Sequence, residues 1–283
     1  MTRASARRLV GGAVLAAAVA AATIASAQRI LVNPRMGGFS RIPPKWATAA
    51  DFDGSFIFCR GFYTSVRREA GGQGWSTDYN AADNNFSVRL MELTLAHVKL
   101  DVDRQPNTVV VRLTDPLLYR CPILLMEDVG TIRLSTREVE SLRDYFLKGG
   151  FLWVDDFWGS YAWEQWQAEI GRVLPPSEFP IFDIPTAHPI MHTLYDVKEI
   201  PQVSSINFWS TNRGSTSERG SDSPRANFRG INDANGNLIV VMTHNTDISD
   251  AWEREGEDPR FFYSFSPDGY AVGINVVVYA MTH

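Results

Sequence analysis

Short apolar runs alternate with amphipathic stretches along most of this chain, the pattern of a protein that contains both strands and helices. The runs have the length of β-strands, and the clearest of them are Ser55–Cys59, Thr108–Leu113, Ile123–Met126 and Phe151–Val154. The run at Ile123 is apolar throughout, which is typical of a strand buried on both faces of a parallel sheet.

Helical spacing separates these runs. The clearest helix follows Ser135, because Ser135 and Glu138 form a capping box and Gly149-Gly150 supplies a stop, so we expect about 14 residues of helix between them. Other helices are predicted at Asn80–His97, Tyr161–Leu174 and Asp268–Met281.

A turn at Asn235-Gly236 lies between Asn227–Asp233 and Asn237–Thr243, a strong signal for a late β-hairpin. Strands that alternate with helices favour an α/β fold with a mostly parallel sheet. We expect a single domain at 51–283, preceded at 28–50 by a Pro- and Gly-rich extension that lies over the surface.

The first 27 residues have the pattern of a signal peptide. Three arginines precede an uncharged run that ends in Ala25-Ser26-Ala27, so cleavage is expected after Ala27 and the mature protein is expected in the periplasm or outside the cell. A retained anchor is the alternative, and Arg7-Arg8 leaves twin-arginine export open. No later segment reaches membrane-spanning length.

The net charge of the mature chain limits the kinds of partner that it is expected to bind. Of 27 basic residues the leader holds three, so the mature chain carries 24 against 32 acidic residues, a net charge of −8. Such a chain repels polyanions, and its mature part has no basic stripe, so no nucleic acid partner is expected.

The two cysteines, Cys59 and Cys121, each lie beside a predicted strand. They could form a disulfide in an oxidising compartment, or remain two buried thiols. Neither has the surroundings of a nucleophile, so a structural role is expected for both.

Polar side chains follow three predicted strands, at the edge where a parallel sheet binds its ligands. The candidate ligand-binding residues there are Asp128, Asp155, Asp156, His244, Asn245 and Asp247. The alternative is that these Asp and Asn residues form turns and helix caps.

Two tryptophans extend the candidate site. Trp158 follows Asp156 in a strand-to-helix loop, and an exposed indole beside carboxylates suits stacking on a sugar ring. Trp75, with Asp78 close by, has the same character. The glycines that precede Trp75 lack the Lys-Ser/Thr ending of a phosphate-binding loop.

His188 and His192 are four residues apart and would share a helix face, and His244 with Asp247 and Asp250 adds further ligand types, so a metal site is an alternative. Pro189 forces His188 out of helical geometry, and no paired-cysteine or His-Glu-x-x-His pattern accompanies the two residues. We therefore expect His188 to cap a turn, and we predict neither a metal nor another cofactor.

Four segments resemble the bacterial domain-of-unknown-function family 4159 over nearly all of the chain from about Asp51. They are Gly74–Tyr79, Gly149–Asp156, His188-Pro189 with Leu194-Tyr195, and Met242–Asp247. That family is similar in turn to class I glutamine-amidotransferase-like and trehalose-utilisation-like proteins. The resemblance implies a flavodoxin-like three-layer sandwich, but no established activity.

The turn where those amidotransferases carry a nucleophilic cysteine here reads Asp155-Asp156-Phe157-Trp158-Gly159-Ser160. We therefore expect an exported binding module for a polar small molecule, a carbohydrate or a protein partner of the cell envelope. The alternative is a hydrolase of sugars or cell-wall material, with Asp155 or Asp156 as acid or base and His244 as proton shuttle.

Overall fold

A seven-stranded sheet runs through residues 42–283, the part of the chain that this computed structural model describes. Its strands lie in the order β3-β1-β4-β6-β9-β8-β7; the first five are parallel to one another, and β8 is antiparallel to both of its neighbours, β9 and β7. Their bounds are β1 Phe58–Phe62, β3 Thr108–Arg112, β4 Ile123–Glu127, β6 Phe151–Asp155, β7 Phe182–Asp183, β8 Asn227–Asn232 and β9 Leu238–His244. A separate antiparallel pair joins β2 (Thr64–Ser65) to β5 (Ile132–Arg133).

The helices of the described residues cover both faces of this sheet. They are α1 Ala81–Leu93, α2 Thr136–Leu147, α3 Gly159–Val173, α4 Ile206–Thr211, α5 Asp250–Glu253 and α6 Pro259–Thr282. Apolar residues of α2 and α3 pack on one face with Leu124, Leu152 and Val240. Those of α1, α5 and α6 pack on the other face with Leu125 and Trp153.

The parallel strands follow the order 2-1-3-4-5 when they are numbered along the chain, which is consistent with a flavodoxin-like α/β fold. Every residue of the central strands β4, β6 and β9 is buried, as expected for strands with helices on both faces. The mostly parallel sheet predicted from the sequence is confirmed.

Two local predictions are also confirmed. Ser135 accepts a hydrogen bond from the backbone N–H of Glu138, and the Glu138 carboxylate accepts one from the backbone of Ser135, so the capping box begins α2. The predicted hairpin is the antiparallel pair β8 and β9.

Three predicted bounds differ from the structure. The first strand begins at Phe58 rather than Ser55, and α1 ends at Leu93, because the chain turns at Thr94 and leaves His97 exposed. The last helix begins at Pro259, nine residues before the expected start, and continues through Pro267. Its start has a signal that the apolar pattern obscures: Asp258 caps the helix and Pro259 occupies its first position.

The disulfide left open by the sequence is formed between Cys59 on β1 and Cys121 just before β4. The two strands are neighbours in the sheet, and the two Cα atoms are 5.9 Å apart.

The predicted signal peptide and its cleavage site lie outside the described residues. Of the predicted extension, the described part follows the edge strand β3, where Val110 exchanges backbone hydrogen bonds with Lys45 and Ala47. Within residues 42–283, no helix has both the length and the apolar character that a membrane crossing requires.

Candidate functional site

Three neighbouring strands end in the same way at one edge of the sheet. Beyond β4, β6 and β9, the chain turns through Asp128, Asp156 and Asn245, with φ of 49°, 52° and 61°. Asp78, in the connection from β1 to α1, has φ of 58°. Left-handed backbone of this kind is costly for residues other than glycine, least so for Asp and Asn, and it concentrates at functional sites.

Seven carboxyl groups gather at this edge, and we call them the acidic cluster. They are Asp78, Glu127, Asp155, Asp156, Asp247, Asp250 and Glu253. The pKa of each is raised, in the first place because burial penalises the charged form; for all of them except Asp78, repulsion by neighbouring acids raises it further.

Arg60 lies beneath the cluster and is fully buried. Its guanidinium holds the Asp83 carboxylate through Nε at 3.0 Å and through a second contact from Nη2, and it donates to the Thr77 carbonyl at 2.9 Å. Burial opposes its charge, but Asp83 and Glu127 raise the pKa of Arg60 above its ordinary value. Asp83 is therefore the main ionic partner of Arg60.

Asp155 ties two segments together. Its Oδ1 accepts a hydrogen bond from Thr243 Oγ1 at 2.5 Å, and its Oδ2 accepts one from the Ser249 N–H at 3.0 Å. Burial nevertheless raises the pKa of Asp155 to about 7, although both hydrogen bonds lower it. Asp155 is fully buried.

The segment that follows β9 supplies three more acids. Asp247 Oδ1 accepts a hydrogen bond from the Asp250 N–H at 2.8 Å, and Asp250 Oδ2 accepts one from the Ile206 N–H at 2.8 Å. Glu253 lies one turn further along α5, and Arg254 lies against both α5 acids. This segment is thereby folded back over the sheet edge.

Asp78 has one carboxylate oxygen, Oδ2, without a hydrogen-bond donor, although the residue is only 8% exposed. Glu127 likewise has one oxygen without a partner, while its Oε1 accepts from Ser249 Oγ at 2.6 Å. Oxygens of Asp78, Asp250 and Glu253 all lie within 4.8 Å of one another.

His244 does not join the acidic cluster. Successive side chains of a strand point to opposite faces, and Thr243 contacts Asp155, so His244 lies on the other face of the sheet. There its ring packs against Phe157 and Trp163, and its Nε2 lies 3.1 Å from the Gly159 carbonyl oxygen. Burial lowers the pKa of His244 to about 4. The edge predicted for His244 and Asp155 is correct, but the two side chains are separated by the sheet.

The tryptophans are not free platforms. Trp158 is only 4% exposed and donates its indole N–H to Asp156 Oδ1 at 2.8 Å, so the expected exposed indole is wrong. Trp75 is partly buried between the rings of Phe62 and Tyr79, with centroids 5.2 and 5.4 Å away.

Asp128 and Asn245 hold nearby backbone. Asp128 Oδ2 accepts from the Gly74 N–H at 2.8 Å, and burial raises the pKa of Asp128 to about 7. Asn245 Oδ1 accepts from the Gly159 N–H at 2.8 Å. Both residues therefore position loops around the cluster, as the turn-former alternative predicted.

Sequence reasoning missed four members of this site, namely Arg60, Asp83, Glu253 and Arg254. Asp250 and Glu253 carry a recognisable signal, since a spacing of three places both on one face of a helix. Nothing in the sequence marks Arg60 as a site residue, because the partner of a charged residue inside an apolar strand cannot be identified without the structure.

His188 and His192, the two histidines considered as metal ligands, are not part of the acidic cluster. His188 Nδ1 accepts from the Ile190 N–H at 3.2 Å, which confirms the expected cap. His192 pairs with Asp196 and the Thr186 carbonyl.

The sequence of the chain matches one family profile over most of its length. The profile of the domain of unknown function DUF4159 matches residues 64–281. The chain belongs to this family. Comparison with curated proteins finds no match. All seven carboxyl groups of the acidic cluster lie within the DUF4159 region, as do the loop that carries Asp78 and helix α5, so the cluster is part of the family domain.

Proposed function

We propose that this DUF4159 protein is a binding module that holds a polar ligand at the carboxyl edge of its sheet. The observation that supports it best is an imbalance of charge. The acidic cluster has seven carboxyl groups, whereas Arg60 and Arg254 are the arginines that contact it among the described residues, and Arg60 is already paired with Asp83.

Buried carboxylates in such excess must take up protons or bind a positive partner. A ligand that brings ammonium groups, hydroxyl groups or a metal cation would supply what the cluster lacks. Carbohydrates, amino sugars and peptides with basic side chains have this chemistry. A polyanion does not.

The position of the site supports the same function. In an open parallel sheet, ligands bind beyond the carboxyl ends of the strands where the strand order reverses. Here that point lies between β1 and β4, which end beside Asp78, Glu127 and Asp128. The loop that carries Asp78 crosses this point.

We further propose that the domain is an amidotransferase-like fold that has lost its nucleophile. Both cysteines of the chain are in the disulfide, so no thiol is available to attack a substrate. The disulfide also supports a location in the periplasm or outside the cell, because such bonds persist in oxidising compartments.

Hydrolysis with Asp155 or Asp156 and His244 has less support. A proton shuttle must reach the same substrate as its partner acid. His244 lies on the opposite face from Asp155, and both its ring nitrogens already have partners.

The test is a thermal-shift screen of the purified protein against sugars, amino sugars and basic peptides, followed by calorimetry on any ligand found. Asp156→Asn should weaken binding at least about tenfold, as loss of a charged contact usually does. Asp144→Asn, on the exposed surface of α2, is the control and should bind normally. A ligand that binds Asp156→Asn as well as the native protein would place the site elsewhere.

A further inference from the structure

Three carboxyl groups of the acidic cluster have the spacing of metal ligands. Oxygens from Asp78, Asp250 and Glu253 lie within 4.8 Å of one another. Ca²⁺ binds oxygens at about 2.3 to 2.6 Å, so two oxygens on opposite sides of one ion are at most about 5 Å apart. One cation can therefore contact all three groups.

A second and independent observation points to a ligand at this position. Asp78 Oδ2 is buried and accepts no hydrogen bond, although the residue has only 8% of its surface exposed. Buried acceptors are almost always satisfied, and those that are not commonly mark an unseen water or ion. The side chain that carries this unpartnered oxygen belongs to the same trio.

The trio is held by rigid surroundings. Asp250 and Glu253 project from one face of α5, and Asp250 is fixed by the Ile206 N–H at 2.8 Å. Asp78 comes from the opposite side, on the loop after β1, and its backbone C=O accepts from Ala82 at the start of α1. Two separate segments thus converge on one point.

Arg254 offsets only part of the charge. Its Nε lies 3.3 Å from Asp250 Oδ1 and 2.6 Å from Glu253 Oε2, where it forms an ion pair without a hydrogen bond. Its Nη1 is turned away to Glu257 at 2.7 Å. Asp78 is left without a direct cationic contact.

We propose that Asp78, Asp250 and Glu253 bind one hard divalent cation, Ca²⁺, with Asp247 beside it. All the donors are carboxylate oxygens, which suit Ca²⁺ and Mg²⁺ rather than softer metals. A site with three carboxylates favours Ca²⁺, because Mg²⁺ usually keeps several waters and takes one or two. This inference rests on the proposal that the sheet edge is a binding site.

The experiment is calorimetric titration of the chelator-treated full protein with CaCl2, and in parallel with MgCl2, together with thermal melting. Ca²⁺ should bind and raise the melting temperature. Asp78→Asn and Asp250→Asn should each weaken Ca²⁺ binding at least about tenfold. Asp78→Asn guards against a folding defect in Asp250→Asn, since the oxygen that it changes has no partner to lose.

Glu257→Gln is the matched control. Glu257 is exposed and also pairs with Arg254, but it lies outside the trio, so its loss should leave Ca²⁺ affinity unchanged. No binding of Ca²⁺, equal affinity in folded Asp78→Asn, or tighter binding of Mg²⁺ than of Ca²⁺ would each overturn the assignment.

The two proposals fail separately. If a polar ligand binds in the presence of chelator and is lost in Asp156→Asn while Ca²⁺ does not bind, the binding module stands and the cation site falls. If Ca²⁺ binds with the expected loss in Asp78→Asn and no polar ligand is found, the cation site stands alone.

Discussion

At the scale of single residues, the pair of Arg60 and Asp83 shows how the acidic edge is anchored. Both side chains are fully buried, and the guanidinium meets the carboxylate through two nitrogens. Two charges removed from water are tolerated only as long as both are present, because either one alone is a buried charge without a partner.

Asp83→Asn should therefore destabilise the protein by about 3 to 5 kcal/mol, the usual cost of breaking a buried ion pair. Urea unfolding followed by tryptophan fluorescence measures this free energy. Asp144→Asn, on an exposed face of α2, should stay within about 0.5 kcal/mol of the native protein. A loss below about 1 kcal/mol for Asp83→Asn would mean that Glu127, whose Oε1 lies 3.5 Å from Arg60, takes over as its partner.

At the scale of elements, the sequence predicted structure correctly where a local signal is sufficient to determine it without distant contacts. The capping box at Ser135 and the Asn-Gly turn at Asn235 place α2 and the hairpin because each depends on a few neighbouring residues. The start of α6 was misplaced because the prediction followed the apolar run from Asp268, whereas the helix begins at Pro259 and tertiary packing carries it through Pro267.

The candidate site was predictable only in part. Strand ends of a parallel sheet meet at one edge, so the edge that collects Asp128, Asp155 and His244 follows from the sequence. The sequence does not show whether Asp155 and His244 lie on the same face of the sheet, because a shift of one residue in the register of β6 and β9 would move a side chain to the other face. The pairing of Asp155 with Thr243 rather than with His244 needed the structure.

The disulfide is an element-scale restraint on β1 and the chain before β4. It closes a loop over a sequence separation of 62 residues, so removal of the bond through Cys59→Ala with Cys121→Ala should cost about 2 to 5 kcal/mol in unfolding free energy. Cys59 lies within the sheet, and Cys121 lies at the opposite edge from the acidic cluster. Ligand and Ca²⁺ affinities measured on the folded variant should be unchanged. A loss of either affinity in a variant that remains folded would show that the disulfide contributes to binding at the site.

At the scale of the whole molecule, buried acids and one buried histidine give opposite pH dependences. Burial raises the pKa of Asp128 to about 7; Glu69 adds to this rise, and Arg67 and Arg219 oppose it. Between about pH 4 and 7 the folded protein therefore holds more protons than the unfolded chain. That contribution to stability is present at low pH and is lost as pH rises through 7. His244, with a pKa lowered to about 4, contributes stability above about pH 6.5 and loses it as pH falls toward 4.

The two effects can be separated with Asp128→Asn, which removes the carboxyl group and leaves His244 in place. Asn can still accept from the Gly74 N–H, so the loop that Asp128 holds at 2.8 Å should persist. Urea unfolding in the presence of chelator at pH 5 and at pH 8 should show that native stability falls across this interval by about 2 kcal/mol more than that of Asp128→Asn, since a shift of one pKa unit is worth about 1.4 kcal/mol. If both proteins change equally with pH, Asp128 is ionised in the folded state, and the protons that neutralise this edge are held on the other carboxyl groups.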